Sequence, residues 1–123
     1  MEQRYSERIA VGCEVVFART GRIGQGRVID VSLPGCLVES LAPFKVGDYV
    51  RLRLFLPDRP APLNILLAVV RRVEGRLAGL EFIRTSQNDQ VRLSRFVRKH
   101  ELISRPSARC WDGGVELLAA SGE

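Results

Sequence analysis

The chain has 123 residues, 46% of them hydrophobic and 27% charged, with a formal net charge of +5. That length accommodates one domain able to bury a core without metal or disulfide staples, and that composition excludes disorder of the whole chain. Of its 19 basic residues 17 are arginine, whose planar fork pairs bidentately with phosphate oxygens, so the surplus charge points to anionic partners.

Residues 1–10 read as a flexible polar arm, without the apolar segment that directs secretion. Val11 to Arg19 is rich in β-branched residues and breaks at Thr20-Gly21, a strand followed by a turn. Ile23 to Val31 follows as a second strand, in which Gly24 and Gly26 read as a bulge or sharp bend. Ser32-Leu33-Pro34-Gly35 is a turn, Cys36 to Glu39 resumes extended chain, and Leu41 to Gly47 is a loop. Tyr49 to Leu56 alternates at period two, with Val50, Leu52, Leu54 and Leu56 on one face and Arg51 and Arg53 on the other. This is the pattern of a half-buried strand. Pro57, Pro60 and Pro62 exclude a central strand from the next connection. Leu63 to Val73 is a long apolar strand carrying Arg71-Arg72, Glu74-Gly75 turns the chain, and Arg76 to Ile83 returns.

Six short strands with regularly spaced turns predict a mainly β fold, a closed or nearly closed antiparallel barrel whose closure protects strand edges. The period then changes. Ser86 is a helix N-cap with Asp89 in capping-box register. Leu93, Phe96, Val97, His100 and Ile103 share one helical face, with Arg92, Arg95, Arg98 and Lys99 elsewhere around it, and Arg105-Pro106 ends the helix. Residues 11–104 thus form the barrel and helix. Residues 105–123 are a tail whose apolar patch, Val115 to Ala120, fits an added strand, a short helix or a docking contact equally well. The longest apolar run, Ile65 to Val70, falls far short of a membrane span, so a cytoplasmic protein with no membrane partner is expected.

Two short motifs separated by 21 residues carry the chemistry. Arg4-Tyr5-Ser6-Glu7-Arg8 sets two guanidiniums four residues apart on the arm, each able to grip a phosphate or the O6/N7 edge of guanine. Asp30-Val31-Ser32-Leu33-Pro34-Gly35 sets a carboxylate, a hydroxyl and a glycine within six residues. If the strand continues through them, Asp30 and Ser32 share one face and Val31 takes the other. A carboxylate accepts from the N1–H and N2–H donors of guanine together, and adenine lacks that pair. Ser32 can bond a phosphate or hold the turn, and Gly35 permits positive φ and close approach of a ligand.

Together the two strings resemble the RxxxR and D/NxSxxG pair of the PilZ domain family, bacterial receptors for cyclic di-GMP. The resemblance runs from about residue 4 to residue 100, and Gly79-Leu80-Glu81-Phe82 is similar to the Gly-x-x-Phe stretch near the family's last strand. It implies a six-stranded antiparallel PilZ-type barrel with a C-terminal helix. The arm would wrap cyclic di-GMP held by Arg4, Arg8, Asp30, Ser32 and Gly35, with Arg71 a secondary candidate where some family members place a ligand-facing side chain. Family members bind one cyclic di-GMP or an intercalated pair. The position before the first motif arginine influences which, an arginine favouring the pair, and here it is Gln3. Pro34 sits at a variable position of the motif.

The remaining chemistry is sparse. Cys13, Cys36 and Cys110 lack CxxC spacing and, with His100 the one histidine, offer no zinc set, so they read as reduced thiols. His100 reads as a packed helix residue, and no convincing Ser-His-Asp ordering can be built around it. The chain is therefore expected not to be an enzyme and to need no cofactor, with cyclic di-GMP as its ligand. Trp111 in the tail suits a partner contact or a cover for the barrel. The leading expectation is a stand-alone cyclic di-GMP receptor acting on an unknown downstream protein. Its alternatives are a ligand-independent interaction module of the same fold and, less favoured, a small-barrel nucleic-acid binder. Against the last, the aromatics stand mostly at core-pattern positions rather than on an exposed stacking surface.

Overall fold

The structure, a computed structural model, describes residues 8–104, with side chains through His100. Gln3, Arg4 and the tail with Cys110, Trp111 and the 115–120 patch lie outside the described residues. Six antiparallel strands come first: β1 (Ile9–Arg19), β2 (Arg22–Val31), β3 (Gly35–Glu39), β4 (Tyr49–Leu54), β5 (Leu63–Glu74) and β6 (Leu77–Thr85). Helix α1 (Gln87–Ser104) follows. The strands close in the order β1-β2-β3-β6-β5-β4, with β4 pairing back onto β1. The expected six-stranded barrel with a C-terminal helix is therefore the fold this chain adopts.

Strand alternation fills the interior. Val15, Val28, Val31, Val38, Leu52, Leu54, Leu63, Ile65 and Val70 are essentially inaccessible, and α1 packs on β5 and β1 with Leu93, Phe96 and Val97 buried. The bounds differ from the sequence pattern in instructive ways. β1 begins at Ile9 rather than Val11, because Ile9 pairs with Val31 and is buried. β4 ends at Leu54, yet the Phe55 N–H still donates to the Glu14 carbonyl at 3.0 Å, so Leu56 keeps its inward phase and stays buried. The last hairpin turns at Gly75-Arg76, one residue later than expected, with Gly75 at φ 61°.

Gly24 and Gly26 mark no bulge, contrary to the sequence reading: β2 pairs continuously with β1 from Cys13↔Val28 to Arg19↔Arg22. They are small because neighbours occupy the space above them. A Cβ on Gly24 would stand 2.6 Å from the Phe17 ring, and one on Gly26 would collide with the Glu39 carbonyl. Phe17 in turn stacks on Phe44 of the β3–β4 loop at 4.8 Å, and Arg19 lies over that ring while bonding Asp48 at 2.7 Å. The loop thereby covers one end of the barrel. Of the other aromatics, Phe96 is buried, Phe55 and Phe82 are half-buried and Tyr49 is exposed.

The helix starts as its sequence predicts. Ser86 Oγ accepts from the Asp89 N–H at 3.3 Å and donates to Asp89 Oδ2, which also receives the Asn64 N–H of β5. His100 is half-buried, its Nδ1 3.0 Å from the Phe96 carbonyl and its ring 4.2 Å from the Phe96 ring. Arg92 departs from its expected place away from the apolar stripe. It is 5% exposed and forks onto both carboxylate oxygens of Asp58, at 2.7 and 3.1 Å, while Nη1 donates to the Ala61 carbonyl at 2.8 Å. This pairing satisfies a buried guanidinium and staples the proline-rich β4–β5 connection to the helix.

The Arg92 hydrogen bond holds the Asp58 carboxyl below the usual carboxylate range, against a smaller opposing effect of burial. A depressed folded-state value stabilises the fold above the ordinary pKa of about 4, and that stabilisation is lost as pH falls through the folded value. Asp58→Asn should therefore cost about 2 kcal/mol in urea unfolding at pH 7. The gap from the parent should narrow as pH drops below about 4.

Candidate functional site

In a regular strand, side chains alternate between core and solvent, so Val28 buried would place Asp30 in the core too. Two register shifts prevent this. β1 carries an extra residue between Ala10 and Cys13, with Gly12 at φ 60°, and β2 carries Ile29 as an extra residue between Val28↔Val38 and Asp30↔Leu37. The bulge in β2 reverses the phase of that strand beyond it, while β1 keeps Ile9, Val11, Cys13 and Val15 on the core side. Val31 consequently turns inward and Asp30 outward. β5 repeats the device: Arg71 is the extra residue between Val70↔Leu80 and Arg72↔Gly79. Arg71 and Arg72, adjacent in the chain, are both exposed as a result.

Successive pairings then lay out one outward row across five strands, Ala10–Asp30–Leu37–Gly79–Arg72. Beneath it runs a buried row, Ile9–Val31–Cys36–Leu80–Val70. Asp30 and Arg72 stand three strand spacings apart, roughly 14 Å at about 4.8 Å each. Leu37 and Gly79 form the floor between them. Over this floor lies a cleft of about 290 Å³, lined by Arg8, Asp30, Ser32, Gly35, Arg71, Arg72 and Glu81 among others. Its volume is at the low end of the ~300–1,000 Å³ usual for small-molecule sites.

The structure thus gathers Arg8, Asp30, Ser32, Gly35 and Arg71 from separate parts of the chain around one cleft. Arg8, just ahead of β1, holds Nη1 4.0 Å from Asp30 Oδ2, a loose and half-exposed pair. Ser32 is nearly buried, and its N–H and hydroxyl both donate to the Gly35 carbonyl, at 2.8 and 3.3 Å, so it holds the turn. Gly35 does not take positive φ, contrary to the sequence reading. It is glycine because a Cβ would collide with the Leu80 carbonyl of β6. Arg71 donates from Nε to Glu81 Oε1 at 2.6 Å.

Sequence reasoning missed Arg72, Glu81 and Leu37 at this cleft. The Arg71-Arg72 doublet was visible, but which arginine faces the row depends on a register shift that only strand pairing reveals. Cys36 lies under the floor, its thiol pushed up by burial and then by the Asp30 carboxylate, while Cys13 is half-buried and raised less. Both are free thiols. Among the described residues, no group of three or more His, Cys, Asp or Glu is placed to hold a metal, and no helix is long and apolar enough to cross a membrane.

A family profile described as PilZ domain matches residues 2–99. The fold is similar to the inhibitor of motility MotI/DgrA of Bacillus subtilis, with TM-score 0.71, 22% identity, 83% of this chain and 52% of that one. It also resembles YcgR of Escherichia coli in complex with c-di-GMP, at TM-score 0.68 and 18% identity over 87% of this chain and 50% of that one. A third likeness is to the PilZ domain of CeSA from a cellulose-synthesizing bacterium, at TM-score 0.60 and 22% identity, covering 78% and 99% of the two chains. The chain spans about half the length of the first and second of these. No curated protein sequence matches it.

Two outcomes test this geometry. Gly35→Ala should lower stability by about 1–3 kcal/mol in denaturant unfolding, since the new methyl has only a backbone carbonyl to push against. In alkylation at pH 8 followed by peptide mass spectrometry, Cys36 should stay unmodified in the folded protein and react on unfolding, with Cys13 labelled ahead of it.

Proposed function

Because this chain belongs to the PilZ domain family, matched over four-fifths of its length, we propose that it is a receptor for cyclic di-GMP, binding in the cleft between Asp30 and the β5 arginines. The observation that carries the reading is the convergence of Arg8, Asp30 and the Ser32–Gly35 turn on one cleft floored by Leu37 and Gly79. Relatives of the same fold include a structure with c-di-GMP bound, YcgR of Escherichia coli.

Each group has a distinct task in this proposal. The Asp30 carboxylate accepts from the paired N–H donors of guanine, which selects guanine over adenine. Arg8 gives up its 4.0 Å contact with Asp30 for guanine or phosphate oxygens, at little cost because so exposed a pair is weak. Arg4 joins from the arm as a second guanidinium for guanine or phosphate oxygens. Ser32 keeps the turn rigid, and Gly35 keeps β3 close to β6. Arg71, the secondary candidate, stands at the far wall engaged with Glu81. Ordering the arm over the ligand costs conformational entropy and creates a new surface for a downstream protein, shifting which partner is bound. The role is recognition rather than catalysis, and we assign it to the bacterial cytoplasm, where such messengers act.

Titration calorimetry tests the reading. Cyclic di-GMP should bind at micromolar or tighter affinity and cyclic di-AMP at least about tenfold more weakly. Arg8→Ala and Asp30→Ala should each weaken binding by roughly 10–100-fold, the equivalent of one charge-assisted hydrogen bond. The stoichiometry of the same titration reads the effect of Gln3. Folded protein that gives no heat with cyclic di-GMP would sink the receptor reading and leave a ligand-independent interaction module.

A further inference from the structure

Charge in the cleft is unevenly committed. Three described guanidiniums and two carboxylates line it. Arg8 stands against Asp30, and Arg71 is bound to Glu81 at 2.6 Å. Arg72 is exposed and lines the same cleft, and among the described residues its guanidinium forms no ion pair or hydrogen bond. It lies across Gly79, with Nε 3.6 Å and Nη2 3.9 Å from where a Cβ on that residue would stand. A Cβ at position 79 would meet the Arg72 side chain in ordinary van der Waals contact, so the guanidinium lies directly along the floor.

We infer that Arg72 is the anion-binding guanidinium at the β5 end of the cleft, suited to a phosphate diester, and that Glu81 sets specificity and affinity by withholding Arg71. The inference rests on reading the cleft as a nucleotide site, but its anion chemistry follows from the cleft alone. A phosphate approaching over Gly79 meets the open N–H groups of Arg72 without breaking an existing pair. To use Arg71 it would have to displace a carboxylate already bonded to Nε, and that carboxylate also repels the incoming charge. The β5 bulge makes the division possible: Arg72 stays in register with Gly79 while Arg71 projects beside Glu81. Arg72 also faces Asp30 along the outward row, so one ligand can set a guanine edge on the carboxylate and a phosphate on the guanidinium.

The experiment follows the arginine Nε–Hε signals of the full ¹⁵N-labelled chain during titration with inorganic pyrophosphate, with Arg51 and Arg53 on another face of the barrel as controls. Arg72 should shift saturably and beyond the controls, while Arg71 should stay near its starting position. In Glu81→Gln, Arg71 should respond as well. Calorimetry with cyclic di-GMP should show about tenfold weakening in Arg72→Ala, a change within about twofold in Arg71→Ala, and roughly three- to tenfold tightening in Glu81→Gln. All three residues are partly or well exposed, so unchanged melting temperatures check that the variants fold. An Arg71 signal that moves as far as that of Arg72 in the parent protein, or equal losses in the two alanine variants, overturns the assignment. If Arg72 responds to pyrophosphate but the chain ignores cyclic di-GMP, the receptor reading fails and the anion site stands. If cyclic di-GMP binds and Arg72→Ala changes nothing, the opposite holds.

Discussion

Everything at the cleft depends on two slips of phase, at Ile29 in β2 and at Arg71 in β5. A strand in a closed barrel has no choice about its faces: one side chain in, the next out, for as long as the ladder is regular. Val31 and Val70 must be inside to fill the core, and with regular ladders the polar residues beside them would be misplaced. One extra residue in each strand resolves the conflict. The bulges bring an outward Asp30 and an outward Arg72 into one row while the buried row beneath stays intact. A chemical site and a hydrophobic core are thereby built from the same few residues.

The same pair of residue types serves two ends in this molecule, and burial decides which. Arg92 and Asp58 meet with the guanidinium almost fully covered, three hydrogen bonds made and the loop fastened to the helix. Withdrawing either partner leaves an unsatisfied group, so the pair is structural. Arg8–Asp30 and Arg71–Glu81 lie in reach of water. Solvent screens them, which makes them weak as supports of the fold, and the looser of the two, Arg8–Asp30 at 4.0 Å, is easy to exchange for a ligand's charges. The basic character of the chain thus divides into arginines that hold the fold, Arg92 and Arg19, and others that stand in reach of solvent.

Much of the architecture is legible in the sequence. Period-two alternation in Tyr49–Leu56, glycine turns and the Ser86–Asp89 cap correctly announced strands, hairpins and a helix, because these features are set by neighbours close in sequence. The cleft residues Arg8, Asp30, Ser32 and Gly35 were visible as paired motifs. The errors lie where a distant segment overrules local pattern. Gly24 and Gly26 answer to the Phe17 ring and the Glu39 carbonyl rather than to a bend, and Gly35 answers to the Leu80 carbonyl rather than to a left-handed turn. Arg92, expected away from the apolar stripe, is buried against a carboxylate 34 residues away.

By itself, then, the sequence determined that the chain forms a mainly β barrel with one trailing helix, and it carried the short motifs whose arginine and carboxylate meet at the cleft. Those properties follow from composition, periodicity and short-range spacing. Only the tertiary structure decided where the carboxylate points, that Arg72 rather than Arg71 stands in its row, and that Glu81 holds the latter. Strand register is a property of pairs of strands, and a single inserted residue reverses every face beyond it. No reading of one strand alone can supply that sign.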